Sequence, residues 1–170
     1  MPSPSPTPTP VSSPSKAKTP RKKKVDPELE RRMTMANSLF AELNRTVFGD
    51  RITGVEIKWN PRFLTTAGRA KWKKSREGVH SSILELSPKV IDSDERLRNT
   101  VGHEMCHLAS WMIDCDPAEQ HGQLWNAWTK KVMRARPDIK ITARHEYEIS
   151  YKFRWKCTQC DNTYVPPVLS

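Results

Sequence analysis

"VGHEMCHLASWMI", residues 101–113, places two histidines four positions apart in an otherwise apolar run, with a glutamate directly after the first. Asp92 or Ser93 can cap the start of a helix that contains this run. Its apolar residues recur at helical spacing: Leu97, Val101, Met105, Leu108 and Met112. Because a helix turns about 100° per residue, His103 and His107 point the same way, one turn apart. Both imidazoles can therefore reach a single ion.

This pattern has the composition of a hydrolytic zinc site. A catalytic zinc ion takes three protein ligands and keeps one position open for water. His103 and His107 supply two of the three, and Glu104 can reach the metal-bound water without ligating the metal. Since coordination lowers the pKa of that water to about 7, Glu104 can take its proton and pass it to a leaving amine. Burying these groups on an apolar helix without a metal would be costly, so the sequence predicts zinc.

The third ligand has several candidates. A metzincin would need glycine and histidine where Ser110 and Ile113 stand, so that class is excluded. A third predicted helix follows His121, and its apolar stripe consists of Leu124, Trp125, Trp128 and Val132. Two tryptophans can hold the start of this helix against the previous helix, which favours His121. The alternative ligands are carboxylates: Glu119, Glu146 and Glu148.

The remaining patterns predict an α+β fold with three main helices on a small sheet. Asp26 and Pro27 favour the start of a first helix, which a turn at Gly49 ends. Its apolar stripe consists of Leu29, Met33, Ala36, Phe40, Leu43 and Val47. "GVEIKW" from Gly54 and "SSILELS" from Ser81 are short, β-branched or alternating segments, which indicate two strands that pair in the sheet.

The N-terminal tail, residues 1–25, is predicted to be disordered. Its first 24 residues hold half of the 14 prolines and six of the 29 Lys and Arg side chains, with no acidic residue. No apolar stretch near the start resembles a signal-peptide core, and no run is long enough for a membrane span. We therefore expect a soluble intracellular protein without membrane contact, and the basic residues 21–24 favour import into the nucleus.

A basic segment between the two predicted strands interleaves cations with aromatic rings. This composition suits contact with phosphates and stacking on bases, although a solvated hairpin is the ordinary alternative. It predicts sequence-independent binding of DNA, single-stranded or distorted. The candidate contact residues are Arg69, Lys71, Trp72, Lys73, Lys74 and Arg76.

Several segments together resemble the SprT-like zinc metallopeptidase family. They are "HEMCH", the 13-residue gap to "HG", the Trp-rich helix that follows, "TTAGRAKW" upstream and "RHEYEISYKFRWKCTQC" downstream. The likeness covers about residues 30–165 and is greater to the germ cell nuclear acidic proteins than to the Spartan proteins. The resemblance implies zinc ligation by His103, His107 and His121, with Glu104 as the catalytic residue. It also implies a DNA-dependent protease that degrades proteins covalently trapped on DNA.

The resemblance also implies a zincin-like metalloprotease core at 26–145, followed by a C-terminal β segment at 146–170. Members of the family usually continue into a zinc ribbon with two CxxC pairs, whereas this chain has only Cys157 and Cys160 there. These two thiols are a possible second metal site that is incomplete on its own. His145 is a candidate further ligand, but its spacing is unlike that of a usual ribbon.

The other cysteines and three tryptophans are expected to fill the core. Cys106 and Cys115 are small apolar side chains that an intracellular compartment keeps reduced. Trp111, Trp125 and Trp128 fall on the apolar stripes of predicted helices. Core packing is therefore a better prediction for all five than metal or substrate contact.

These observations predict a monomeric zinc endopeptidase that acts on proteins bound or crosslinked to DNA. One alternative is a catalytically inactive scaffold or zinc-binding module that associates with DNA. An intact Glu104 argues against it, because a purely structural zinc site needs no carboxylate beside a water. Another alternative is a general cytosolic zinc peptidase unrelated to DNA, whose activity would be the same with and without DNA.

Overall fold

The computed structural model describes residues 26–74 and 80–143, together with 155, 156, 158, 160, 163 and 164. The predicted tail lies outside these residues. Within them, no helix combines the length and the apolar character needed to cross a membrane. The elements in chain order are α1 (Pro27–Thr46), β1 (Val55–Trp59), β2 (Gly68–Lys74), β3 (His80–Leu86), α2 (Asp94–Met112), α3 (Gln123–Ala135), β4 (Trp155–Lys156) and β5 (Thr163–Tyr164).

Helix α1 begins as predicted, but its predicted apolar stripe is wrong at two positions, Met33 and Leu39. The Asp26 carboxylate accepts a hydrogen bond of 3.0 Å from the Glu28 N–H, which caps the helix. The predicted stripe included Met33, which is 38% exposed, and omitted Leu39, which is buried. Apolar residues three and four positions apart are compatible with more than one buried face of the helix. Contact with α2 determines which face is buried. The fully or nearly buried residues are Ala36, Leu39 and Leu43.

The sheet contains both predicted strands and a third that the prediction missed. The strand order is β1-β3-β2, with β1 parallel to β3 and β2 antiparallel to β3. The missed strand, β2, lies in the basic segment. Its charged side chains and the small Ala70 conceal the apolar alternation that would indicate a strand. Because β2 is at the edge, only one side pairs with β3, and its other side lies next to α2.

Helices α2 and α3 begin where the sequence predicted. The Ser93 hydroxyl accepts from the Arg96 N–H at 3.2 Å and caps α2. Trp125, Trp128 and Val132 of α3 are buried. The prediction was wrong for Leu124, which is 36% exposed, because the stripe of α3 turns towards α2 and Phe48 and leaves that position outside.

The predicted core cysteines have opposite environments. Cys106 is fully buried in α2, and burial raises the pKa of its thiol well above the ordinary value. Cys115 is exposed, so its prediction was wrong. It lies in the loop after α2 with a positive φ of 59°, in a turn conformation that points its side chain away from the core.

Candidate metal centre

Three imidazoles converge at one point between α2 and α3. His103 and His107 lie one turn apart on α2, and His121 directly precedes Gly122, the N-cap residue of α3. The Nε2 atom of His103 is 3.2 Å from the Nε2 atom of His107 and 3.2 Å from that of His121. One ring nitrogen of each lies within 4.8 Å of the others. The fold therefore brings together the three histidines that the sequence predicted as ligands.

The orientation of the His103 ring is set by its other nitrogen. The Nδ1 atom lies 3.1 Å from the Thr142 carbonyl oxygen, which can only accept, so this contact favours the tautomer with the proton on Nδ1 and a lone pair on Nε2. Residues 139–142 reach this position by crossing α2 at Gly102. A Cβ atom there would lie 3.1 Å from Ile139 Cγ2 and 3.2 Å from Ile141 Cδ1. Glycine thus permits the close packing that brings the carbonyl to His103.

Aromatic rings surround the histidines. The Trp125 ring centroid lies 4.9 Å from that of His103 and 4.5 Å from that of His121, and the side chain is 2% exposed. Trp111 is stacked on His107 with centroids 5.9 Å apart. Trp125 is a core residue, as predicted, whereas Trp111 is only partly buried and lines a cleft beside the histidines. These rings restrict the imidazoles to a narrow range of orientations.

Glu119, one of the alternative ligands, has a different contact. Its Oε1 atom accepts hydrogen bonds from the backbone N–H groups of Leu124 at 2.9 Å and Trp125 at 3.2 Å. The carboxylate therefore caps the N-terminus of α3, where its charge also complements the helix dipole. A Cβ atom at Gly122 would lie 2.6 Å from this carboxylate, so a larger residue there would displace the Glu119 side chain from the cap. The cap fixes the start of α3 and with it His121.

Glu104 is buried at the edge of the same site. It is 5% exposed, and its Oε2 atom accepts a hydrogen bond of 2.7 Å from the Ala70 N–H of β2. Burial raises the pKa of Glu104 to about 7, against the opposing effects of that N–H and of the Arg69 charge. A carboxyl group with this pKa is suited to accept and release a proton near neutral pH.

The contact with Ala70 depends on a close approach of β2 to α2. A Cβ atom at Gly68 would lie 2.5 Å from Thr100 Cγ2 and 3.1 Å from Glu104 Cγ. Only glycine allows the two backbones to approach this closely. The roles of Gly68, Ala70 and the Glu119 cap were not predicted from the sequence. An isolated glycine in a strand signals a close approach of another backbone, and this rule would have pointed to Gly68 had β2 been predicted as a strand.

A cleft opens in front of Glu104 and His107. Its volume is about 570 Å³, and its wall on the far side is the loop at 117–120 between α2 and α3. Ala70 and Trp111 complete the lining near the histidines. The cleft is accessible from solvent, so an extended peptide can reach both the Glu104 carboxylate and the His107 imidazole that line it.

The predicted DNA-contact residues lie on β2, with differing surroundings. The Arg69 guanidinium lies 5.0 Å from the Phe63 ring centroid, and the Lys71 ammonium forms an ion pair of 2.6 Å with Glu85. Trp72 is partly buried. Lys73 and Lys74 continue the strand, but their side chains, like the whole of residue 76, lie outside the described part. DNA contact by this set stays a prediction.

The possible second metal site is only partly described. Cys160 is exposed, and Cys157 lies outside the described residues, as do His145, Glu146 and Glu148. Strands β4 and β5 pair antiparallel on either side of the two cysteines. Ligation by this pair stays a prediction.

Comparison with known proteins decides the family. A model of the SprT-like family matches residues 36–145, which include α2, α3 and all three histidines. The chain belongs to the SprT-like family. The three helices and three-stranded sheet are thus the α+β core of a SprT-like domain, as the sequence resemblance predicted.

The SprT-like chain is similar to several longer proteins. It is 38% identical to an HMG box-containing protein of Schizosaccharomyces pombe, over 80% of this chain and 41% of the relative. It is 32% identical to the germ cell nuclear acidic protein of Homo sapiens, over 74% of this chain and 19% of the relative. It is 26% identical to the DNA-dependent metalloprotease SPRTN of Danio rerio, over 74% and 20%. The chain spans less than half the length of each of these relatives.

Proposed function

We propose that this SprT-like chain is a zinc-dependent endopeptidase that cleaves proteins bound or covalently crosslinked to DNA. The observation that carries the proposal is the convergence of three imidazole nitrogens beside a buried, polarised carboxylate at the wall of an open cleft. His103, His107 and His121 are the proposed metal ligands, and Glu104 is the proposed catalytic residue.

The spacing of the ring nitrogens fits zinc. Zn–N bonds of about 2.0–2.1 Å in a tetrahedron place two ligand nitrogens about 3.3–3.4 Å apart. The two Nε2 separations from His103 are both 3.2 Å. Burial lowers the pKa of His121, which favours the neutral form that can ligate a metal.

Glu104 supplies the proton transfer in this proposal. A zinc ion held by the three histidines would lower the pKa of a water at the site to about 7 and would polarise a substrate carbonyl. Glu104 would accept the proton of the attacking water and pass it to the departing amine. The Ala70 N–H holds one oxygen of the carboxylate, which leaves the other free for this exchange.

The DNA-bound substrate is proposed from charge and from relatives. The chain carries a net charge of +10, which favours association with polyanions. One relative is named a DNA-dependent metalloprotease and others are named nuclear acidic proteins. A nuclear, monomeric protein is proposed accordingly, with a basic tail at 1–25, the peptidase core at 26–145 and a C-terminal β segment at 146–170.

The test compares the wild type with Glu104→Gln. Each is loaded with zinc, checked by metal analysis, and incubated with a protein crosslinked to a single-stranded oligonucleotide and with the same protein free of DNA. We expect the wild type to cleave the crosslinked protein and Glu104→Gln, with equal zinc, to lose this activity. Equal cleavage with and without DNA would indicate a general peptidase. A folded, zinc-loaded wild type that cleaves neither substrate would favour the scaffold function.

A further inference from the structure

Uncompensated positive charge is concentrated where the end of α1 meets α3. Five exposed cations lie there without an ion pair to any described residue. They define the α1–α3 face, and they are Arg45, Arg51, Lys130, Lys131 and Arg134.

Contacts with a shared ring and a shared groove place three of these cations, Arg51, Lys131 and Arg134, close together. The Lys131 ammonium lies 3.8 Å from the Trp128 ring centroid, and the Arg51 guanidinium carbon lies 5.8 Å from the same centroid. A groove of about 260 Å³ separates the helices, with Val47 on the α1 side and Lys131 and Arg134 on the α3 side. These three charges therefore lie around one concave surface, and Arg45 and Lys130 directly precede the groove residues Thr46 and Lys131 in the sequence.

Most other cations of the described chain are neutralised by carboxylates. Ion pairs of 4.0 Å or less involve Arg31, Arg32, Lys58, Lys71, Arg96, Arg98 and Arg136. Arg45 and Arg134 occupy the last turns of their helices, where the helix dipole stabilises a positive charge. Helix dipoles do not account for Arg51, Lys130 and Lys131, which form no ion pair with a carboxylate of the described residues.

We propose that the α1–α3 face binds the sugar-phosphate backbone of DNA. Phosphates neutralise a cluster of unpaired cations, and the release of their counterions provides affinity without sequence preference. The groove offers room for a phosphate between α1 and α3. This proposal moves the main DNA contact away from β2, where Glu85 already neutralises Lys71.

The position of this face also suits the proposed peptidase. His121 precedes α3, whereas Lys130, Lys131 and Arg134 lie in its second half, so a rise of 1.5 Å per residue separates them from His121 by about 14–20 Å. DNA bound to the α1–α3 face leaves the cleft free for the protein part of a crosslinked substrate. The inference rests on the proposed function for this setting, but the binding itself needs neither zinc nor Glu104.

The experiment measures DNA affinity against salt concentration for the full chain carrying Glu104→Gln. Fluorescence anisotropy with a labelled 20-nucleotide strand and the matching duplex gives the slope of log Kobs against log salt concentration. The test variant is Lys130→Ala/Arg134→Ala. The control, Lys89→Ala/Lys140→Ala, removes two exposed cations from other surfaces and leaves the same net charge. The tail is present in every protein, so its contribution is constant.

We expect the test variant to reduce the magnitude of the slope by about 1.4–1.8, which corresponds to two lost phosphate contacts, and the control to keep the original slope. Equal slopes for the test variant and its parent, with a reduction in Arg69→Ala/Lys71→Ala, would overturn the proposal in favour of β2. The same titrations are run with labelled polyglutamate; a test variant that loses polyglutamate binding but keeps the DNA binding of its parent would overturn the proposal in favour of an acidic protein partner. Absence of DNA binding by the parent would overturn it too and leave the peptidase proposal to its own test.

Discussion

Alanine at Gly68 tests whether the approach of β2 to α2 positions Glu104. The added methyl group would lie 2.5 Å from Thr100 Cγ2, where ordinary contacts begin at 3.4 Å. Strand β2 must therefore move away from α2 by about 0.9 Å to avoid the overlap. That displacement lengthens the 2.7 Å hydrogen bond from Ala70 to Glu104 to about 3.6 Å, which is beyond hydrogen-bond range.

Two effects of different kind follow from this displacement. Overpacking of this size lowers the free energy of unfolding by about 1–3 kcal/mol. Loss of the Ala70 contact lets the carboxylate rotate, and a misplacement of about 1 Å in a reacting group lowers kcat/KM on the order of 100-fold. Zinc content should be unchanged, because the three histidines belong to α2 and to the start of α3.

The assay combines urea unfolding, zinc analysis and kcat/KM for a protein substrate. The control is Gly68→Ala/Thr100→Ser, which removes the methyl group that the new Cβ meets and retains the hydroxyl. We expect the double variant to recover much of the lost stability and activity. Gly68→Ala with the stability and kcat/KM of the wild type would refute the reasoning, since β2 would then have room to spare.

Three further perturbations test other contacts. Glu119→Ala removes the cap of α3 and should lower the free energy of unfolding by about 1 kcal/mol and the zinc affinity by about 10–100-fold. Glu119→Gln keeps an acceptor oxygen and should lose less of each. Calorimetry with zinc measures the stability and the zinc affinity of both variants. Chelation of zinc should lower the Tm of the wild type, by an amount equivalent to about 4 kcal/mol when zinc was at 1,000 times its Kd, and should change the Tm of His121→Ala much less. Ser93→Ala removes the cap of α2 and should cost about 1 kcal/mol in urea unfolding without changing zinc content; a loss of zinc would mean that the start of α2 shapes the metal site.

The sequence predicted what depends on local pattern. The helical spacing of His103 and His107, the cap at Ser93 and the alternation in β3 are short-range signals, and the structure contains the corresponding elements. The third histidine was favoured because two tryptophans indicated packing of α3 on α2. Trp125 does lie against both His103 and His121.

The features that the sequence did not predict depend on contacts between distant residues. The Ala70 N–H meets a carboxylate 34 positions away, and a backbone donor leaves no mark in the sequence. Strand β2 was not predicted because its outward residues are basic and the small Ala70 lies between them. Together they conceal the alternation of apolar and polar residues that indicates a strand. Glu119 was considered as a ligand because carboxylates bind zinc, yet its contact with two helix N–H groups could only be seen in three dimensions.

The most direct test of the proposed metal centre is X-ray absorption at the zinc K edge. The sample is the chain with Cys157→Ser and Cys160→Ser, which removes the other candidate ligands. The account predicts three nitrogen neighbours at about 2.0–2.1 Å and one exchangeable oxygen, with one nitrogen fewer in His121→Ala. Sulfur neighbours at about 2.3 Å, or a fourth protein nitrogen that closes the site, would contradict it.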